Sequence, residues 1–120
     1  MSLQAYTTAA TRAESPRDME YRLFGQVTRA LVHASTVDAS DVATRIDALD
    51  WNRRLWTALA NDCSSPGNAL GQSMRAQIIS LGLWVERFTS DVVAGREPIG
   101  ELISLNRTIM EGLRGQRLAA

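Results

Sequence analysis

Apolar side chains recur along this chain at intervals of three and four residues, with polar residues between them. This spacing is that of a helix with one apolar face, whereas a half-buried strand alternates between apolar and polar at every position. No run of alternating β-branched residues occurs, and no Asn-Gly or Asp-Gly pair marks a hairpin. The pattern predicts an all-α fold, and the length of 120 residues predicts a single compact bundle of about five helices in one domain.

Local signals set the expected boundaries of the first two helices. A short helix at 2–13 is rich in Ala and Thr and has little apolar bulk, so residues 1–14 are predicted to form a mobile N-terminal helix unless they dock. The second helix begins at Ser15-Pro16, where Ser15 is the N-cap and Pro16 is the first helical residue. It is expected to end near Ser35.

Three further helices follow. The segment Asp38-Ala39-Ser40-Asp41 offers an N-cap with acidic residues at the positive end of the helix dipole. Gly95 is placed to end a helix, and Pro98 is placed to open the next one. The predicted ranges run from this cap to 62, from 70 to 94 and from 97 to 114, with a loop at 63–68 and a frayed tail at 115–120.

Each long helix carries an apolar stripe that is predicted to form the core. Within the second helix, Gly25 lowers helix stability, and we expect it to let a neighbouring backbone approach closely. Trp84 widens the stripe of the fourth helix. The predicted core residues are Leu23, Phe24, Val27, Leu31 and Ala34; Val42, Ile46, Leu49, Trp56 and Leu59; Met74, Ile78, Leu81, Val85, Phe88 and Val92; and Leu102, Leu105, Ile109 and Leu113.

Several helices are apolar on more of their circumference than one core requires. Trp51 and Trp56 are five residues apart, which places them about 140° apart around the helix axis, so they cannot both face the same neighbour. The apolar residues on second faces are Trp51, Leu55 and Ala58; Ile79 and Leu83; and Ile103 and Met110. Surplus apolar helix surface of this kind is typical of a domain that a partner covers.

Composition narrows the class of protein. The 13 basic residues are all arginine and balance 13 acidic residues, which argues against a nucleic-acid or anionic-membrane binder. The single cysteine excludes an internal disulfide and fits a reducing cytoplasm. The N-terminus lacks a signal-peptide pattern, and the longest apolar run, 78–85, is too short to span a bilayer. These features predict a cytoplasmic protein without membrane insertion.

No catalytic constellation is recognisable, so we expect neither an enzyme nor a bound cofactor or metal. His33 is the only histidine, which excludes a histidine-based triad or metal site within one chain, and no histidine is placed to activate Cys63. Asn52-Arg53-Arg54 lies between two tryptophans, a combination that suits single-stranded RNA. Two arginines do not make a basic stripe, so direct nucleic-acid binding stays a weak alternative.

Four stretches of the chain resemble the flagellar biosynthesis protein FlaF family, in the same order and over nearly the whole length. The stretches are 12–27, from Arg12 to Val27; 49–56, from Leu49 to Trp56; 70–81, with Leu70 and Arg75 to Leu81; and 105–113, with Leu105-Asn106 and Ile109 to Leu113. The resemblance implies a cytoplasmic protein of flagellar assembly that is needed for flagellin production and secretion. It also implies joint action with the flagellin translation regulator FlbT and binding of flagellin as an export chaperone.

The surplus apolar surface agrees with what the resemblance implies, because flagellin has amphipathic terminal helices that a groove can hold. The residues predicted to line that groove are Trp51, Leu55, Ile79, Leu83, Ile103 and Met110, with Arg53, Arg54 and Asn106 as polar anchors. Two alternatives stay open. Trp51, Leu55, Ile79 and Leu83 can simply pack against the first and last helices. The protein can also regulate flagellin translation through FlbT or flagellin messenger RNA without chaperoning flagellin.

Overall fold

The computed structural model describes residues 16–68 and 70–119. For residues 16, 17 and 116–119 it describes the backbone alone. The described residues form four helices and no strand: α1, Pro16–Thr36; α2, Val42–Cys63; α3, Gln72–Val93; and α4, Gly100–Ala119. The predicted all-α bundle is therefore confirmed. The predicted helix at 2–13 lies outside the described residues. α4 continues to Ala119, beyond its predicted end at 114. The predicted fraying of residues 115–120 stays a prediction.

Two helix ends follow the predicted signals closely. At the start of α2, Asp41 is the N-cap, and its carboxylate accepts hydrogen bonds from the Thr44 backbone N–H at 3.2 Å and the Thr44 hydroxyl at 2.7 Å. At the end of α3, Gly95 adopts a φ of 78°. The Gly95 N–H donates to the Val92 carbonyl and the Arg96 N–H to the Asp91 carbonyl, which is a Schellman motif.

The Asp41 cap gives a pH-dependent prediction. Hydrogen bonds from the Thr44 hydroxyl and then the Thr44 backbone lower the pKa of Asp41. A carboxylate whose pKa falls on folding stabilises the folded state above its unfolded pKa of about 3.9, and the effect is lost as pH falls through the folded pKa. Asp41→Ala should therefore lower the Tm at pH 7, and the difference from wild type should vanish in strong acid. Thermal unfolding followed by circular dichroism at both pH values checks this. Asp47→Ala, on an exposed position of the same helix, should leave the Tm nearly unchanged.

The helices pack in the order α4, α1, α2, α3. α2 contacts α1 on one side and α3 on the other, α4 packs mainly against α1, and α3 and α4 touch over a smaller area. Phe24 of α1 meets Trp56 of α2 edge to face, with ring centroids 5.6 Å apart. None of the helices in the described ranges is long and apolar enough to cross a membrane.

Most of the predicted core is confirmed. The buried side chains among those predicted are Phe24, Val27, Leu31, Ala34, Leu49, Trp56, Leu59, Ile78, Val85, Val92, Leu102, Ile109 and Leu113. The predicted residues that are only half-buried but pack against this core are Met74, Leu81, Trp84, Phe88 and Leu105.

The predicted burial of three residues is wrong, since Leu23, Val42 and Ile46 are exposed. The buried face of α2 is centred near Asn52 and Leu59. At 100° per residue, Val42 and Ile46 lie about 80° and 120° from the middle of that face. Leu23 likewise lies on the flank of α1, one residue before the buried Phe24.

The close approach of two helices occurs at Gly82 rather than at Gly25. A Cβ on Gly82 would lie 3.1 Å from the Ala60 Cβ, so α2 and α3 meet more tightly here than a side chain allows without adjustment. The nearest atoms to Gly25 are the ends of the Arg29 and Met110 side chains, each 3.7 Å from a Cβ placed there. The prediction that Gly25 admits a neighbouring backbone is therefore wrong.

Candidate partner-binding groove

A groove follows the seam between α2 and α3, and it has two halves of about 330 and 280 Å³. Each half is lined by residues from one side of α2 and one side of α3. The first half is lined by Ile46, Leu49, Asp50, Arg53, Thr89, Ser90 and Val93. The second half is lined by Thr57, Ala60, Asn61, Ser64, Ile79, Gly82, Leu83 and Glu86.

The two halves lie along the same seam, on either side of the Arg53–Glu86 pair, and we call them together the α2–α3 groove. Along α2 the lining positions advance by steps of one, three or four residues from Ile46 to Ser64, and along α3 by steps of one or three from Ile79 to Val93. Steps of this size keep the residues on one side of a helix. At 1.5 Å per residue, the α2 stripe is roughly 27 Å long, which matches a helical segment of about 18 residues.

An ion-paired cluster crosses the middle of the α2–α3 groove. Arg53 of α2 donates to Asp50 Oδ1 at 2.8 Å from Nη2 and to Glu86 Oε1 of α3 at 3.4 Å from Nη1. Arg54 Nε lies 3.1 Å from the other Asp50 oxygen. The hydrogen bond from Arg53 is the main cause of the lowered pKa of Asp50, and the same bond raises the pKa of Arg53. Asp50 and Arg53 therefore stay charged near neutral pH and place polar groups at the centre of the groove.

Apolar side chains are exposed on both sides of this ionic centre. Leu83 is 65% exposed in one half, and Val93 is 54% exposed in the other, beside Ile46. Val42 lies one turn before Ile46 on α2 and is 58% exposed. Exposed apolar groups that gather along one groove indicate an interaction surface, whereas single scattered ones do not.

Comparison with protein families matches the chain to the family described as Flagellar protein FlaF over residues 2–113, which is nearly its whole length. The chain belongs to the FlaF family. Comparisons with curated proteins and with solved structures gave no match. Membership of this family makes it a flagellar protein.

Of the nine residues predicted to contact a partner, only some reach the α2–α3 groove of this FlaF-family chain. Arg53, Ile79 and Leu83 line it, although Ile79 is half-buried and also packs against the core. Trp51 and Arg54 are exposed on α2 but lie outside the lining.

The remaining four residues do not lie in that groove. Leu55, Ile103 and Asn106 are buried, so their predicted place on an exposed binding face is wrong. Leu55 and Ile103 instead join the hydrophobic core, because the faces that seemed surplus are covered by neighbouring helices. Met110 is half-buried and lines a different groove, between α1 and α4.

Asn106 has a structural role that its sequence context did not reveal. Its Oδ1 accepts a hydrogen bond from Trp56 Nε1 at 2.9 Å, and its Nδ2 donates to Asn52 Oδ1 at 2.8 Å and to Thr28 Oγ1 at 3.2 Å. The Thr28 hydroxyl in turn donates to the Phe24 carbonyl. This buried polar network joins α1, α2 and α4. Within the described ranges, Asn52 Nδ2 has no hydrogen-bond partner.

The sequence pattern misses half of the α2–α3 groove. It places Ile46 and Val42 in the core, and it does not single out Val93 or Glu86. A signal is nevertheless present, because Val42, Ile46 and Arg53 follow one another at helical spacing on α2. Among the described residues, no cluster of three His, Cys, Asp or Glu side chains could hold a metal ion.

Proposed function

We propose that this FlaF-family protein binds flagellin in the cytoplasm through the α2–α3 groove and acts as its secretion chaperone. The observation that carries the proposal is the exposure of an apolar side chain in each half of the groove, Leu83 in one and Val93 in the other, on either side of an ionic centre. A groove of this form suits a helix-in-groove contact, in which an amphipathic helix lays its apolar face between two helices. The role is binding rather than catalysis.

The groove offers two apolar contacts separated by a polar one. A partner helix would place one apolar side chain near Val93 and Ile46 and another near Leu83, about 15 Å or three turns further along the seam. A polar partner residue between them would meet Arg53 and Glu86. Terminal segments of flagellin are amphipathic and associate with one another in the filament, so covering them would keep the subunit monomeric before export.

The alternative is regulation of flagellin translation through FlbT or flagellin messenger RNA. Arg53 and Arg54 both pair with Asp50, which reduces the positive charge that they offer to a phosphate backbone. We therefore rank direct messenger-RNA binding below flagellin binding. If RNA were the ligand, its affinity would fall steeply with added salt, because binding releases condensed counterions.

Titration calorimetry against purified monomeric flagellin tests the proposal. We expect full-length flagellin to bind and expect binding to disappear when one terminal helix is deleted. Deletion of the other terminal helix is the matched control and should leave the affinity nearly unchanged. Absence of binding to the full-length subunit would contradict the proposal, and FlbT would then be the next partner to titrate.

A further inference from the structure

A second groove lies between α1 and α4 and has a volume of about 540 Å³. We call it the α1–α4 groove. It shares no helix with the α2–α3 groove. Its lining residues are Gly25, Thr28, Arg29, Val32, His33, Thr36, Arg107 and Met110. The half-buried Val32 and Met110 give it an apolar part, and the missing side chain at Gly25 leaves space beside the Met110 methyl group.

The charged residues that line this groove in the described part of the chain are all basic. Arg29 and Arg107 line it, and neither forms an ion pair with any residue that the structure describes. His33 also lines the groove on the α1 side, but Asp41 is close enough to interact with it, so the positive charge without a partner among the described residues comes from the two arginines. Among the residues that the structure describes, no carboxylate lines the groove. Two arginines without partners beside an apolar surface leave a positive potential that a ligand of opposite charge can neutralise.

The contrast with the α2–α3 groove is one of charge. In that groove Arg53 is already neutralised by Asp50 and Glu86, whereas in the α1–α4 groove Arg29 and Arg107 are not neutralised within the described residues. Charge complementarity therefore separates the ligands of the two grooves. A partner segment whose charges complement the α1–α4 groove would not be favoured by charge in the α2–α3 groove.

We propose that the α1–α4 groove is a second docking site, for an acidic amphipathic helix of a protein partner. The apolar face of that helix would contact Val32 and Met110, and its carboxylates would pair with Arg29 and Arg107. Arginine forms two parallel hydrogen bonds with a carboxylate, which fixes the orientation of the helix. The α1 side of the groove runs from Gly25 to Thr36, roughly 17 Å or three helical turns.

A protein helix fits this groove better than a nucleic acid does. No aromatic ring of Phe, Tyr or Trp lines it among the described residues, so it has no such platform on which bases could stack. The apolar surface of Val32 and Met110 would stay uncovered beneath a phosphate backbone. The proposal does not depend on flagellin binding, because it concerns different helices and different charges.

Two designed peptides test the proposal. One is an amphipathic helix of roughly 18 residues with a leucine stripe flanked by glutamates, and the other has lysine at every glutamate position. Fluorescence anisotropy should show the glutamate peptide binding the full chain at least roughly tenfold more tightly than the lysine peptide. Arg107→Glu should remove most of that preference, and Arg29→Glu/Arg107→Glu should reverse it. In methyl NMR spectra, the Met110 methyl resonance should shift on binding, and the Met74 resonance should not.

Controls separate this site from the other groove and from net charge. Arg87→Glu changes net charge equally at an exposed position of α3 and should leave the affinity for the glutamate peptide nearly unchanged. Leu83→Glu alters only the α2–α3 groove and should also leave it unchanged. Equal affinity for the two peptides would overturn the proposal. So would tighter binding of a single-stranded RNA oligonucleotide that depends on Arg107, or a dimer of this chain that Arg107→Glu dissociates.

Discussion

Leu83→Glu is expected to weaken flagellin binding at least roughly a hundredfold, which corresponds to about 2.7 kcal/mol. The side chain of Leu83 is 65% exposed in one half of the α2–α3 groove. A glutamate there would put a charge against the apolar face of a partner helix, next to the existing carboxylate of Glu86. Because Leu83 contributes little to the core, the helical circular dichroism should not change. Titration calorimetry with flagellin measures the loss.

Leu23→Glu is the matched control for this prediction. Leu23 is also an exposed leucine in the middle part of a helix, but it lies on α1 and outside the α2–α3 groove. The Leu23→Glu variant should bind flagellin as wild type does. Equal losses in the two variants would mean that general surface hydrophobicity, and not the groove, holds flagellin. Ile79 is less suited to this test, because it packs against the core and a charge there would also destabilise the fold.

Asn106→Leu is expected to lower the free energy of unfolding by about 2–6 kcal/mol. Leucine branches at the same carbon as asparagine but can make none of its hydrogen bonds. The Trp56 indole N–H and the Asn52 side-chain oxygen would both stay buried without the partner that Asn106 supplies. An unsatisfied buried polar group costs about 1–3 kcal/mol, so the two partners left without Asn106 together account for the expected loss of about 2–6 kcal/mol. Urea unfolding measures the change.

Ser104→Ala serves as the control for Asn106→Leu. Ser104 is exposed on the same helix, two residues away, and the alanine side chain favours helix. The free energy of unfolding of Ser104→Ala should stay close to the wild-type value. An Asn106→Leu variant as stable as wild type would contradict the prediction, and it would mean that the polar network contributes specificity of packing rather than stability.

Helix positions and ends can be predicted from the sequence because their causes are local. Asp41 caps α2 through its own neighbour Thr44, and Gly95 ends α3 through its own backbone conformation. Neither effect needs information about the rest of the fold. The spacing of Phe24 and Val27 along α1 is likewise sufficient to predict their burial, and both are buried.

The faces of the helices are harder to predict, because polar residues occupy the middle of the buried surface. The buried face of α2 contains Asn52, which an apolar pattern passes over, so the predicted stripe is turned towards Val42 and Ile46. The sequence likewise indicates Asn106 as a surface anchor. Its burial becomes favourable only when Trp56 and Asn52 reach it from another helix, 50 and 54 residues away in sequence.

The α2–α3 groove can be predicted only in part, because it too depends on contacts between residues that are distant in sequence. Leu83 lies away from the predicted core stripe, and that prediction is confirmed by its exposure. The other half of the groove, where Ile46 lies beside Val93, depends on which flank of α2 meets α3. That contact is fixed by the close approach of Gly82 to Ala60 and by the pairing of Arg53 with Glu86. These are contacts between distant segments, which the spacing of apolar residues does not encode.

Methyl NMR of this protein with a peptide of the flagellin terminal helix would show where flagellin binds. Ile46, Leu83 and Val93 report on the α2–α3 groove, and Val32 and Met110 report on the α1–α4 groove. We expect saturating peptide to shift the first set of methyl resonances and to leave the second set in place. Shifts confined to Val32 and Met110, or no shifts in either set, would contradict binding of flagellin in the α2–α3 groove.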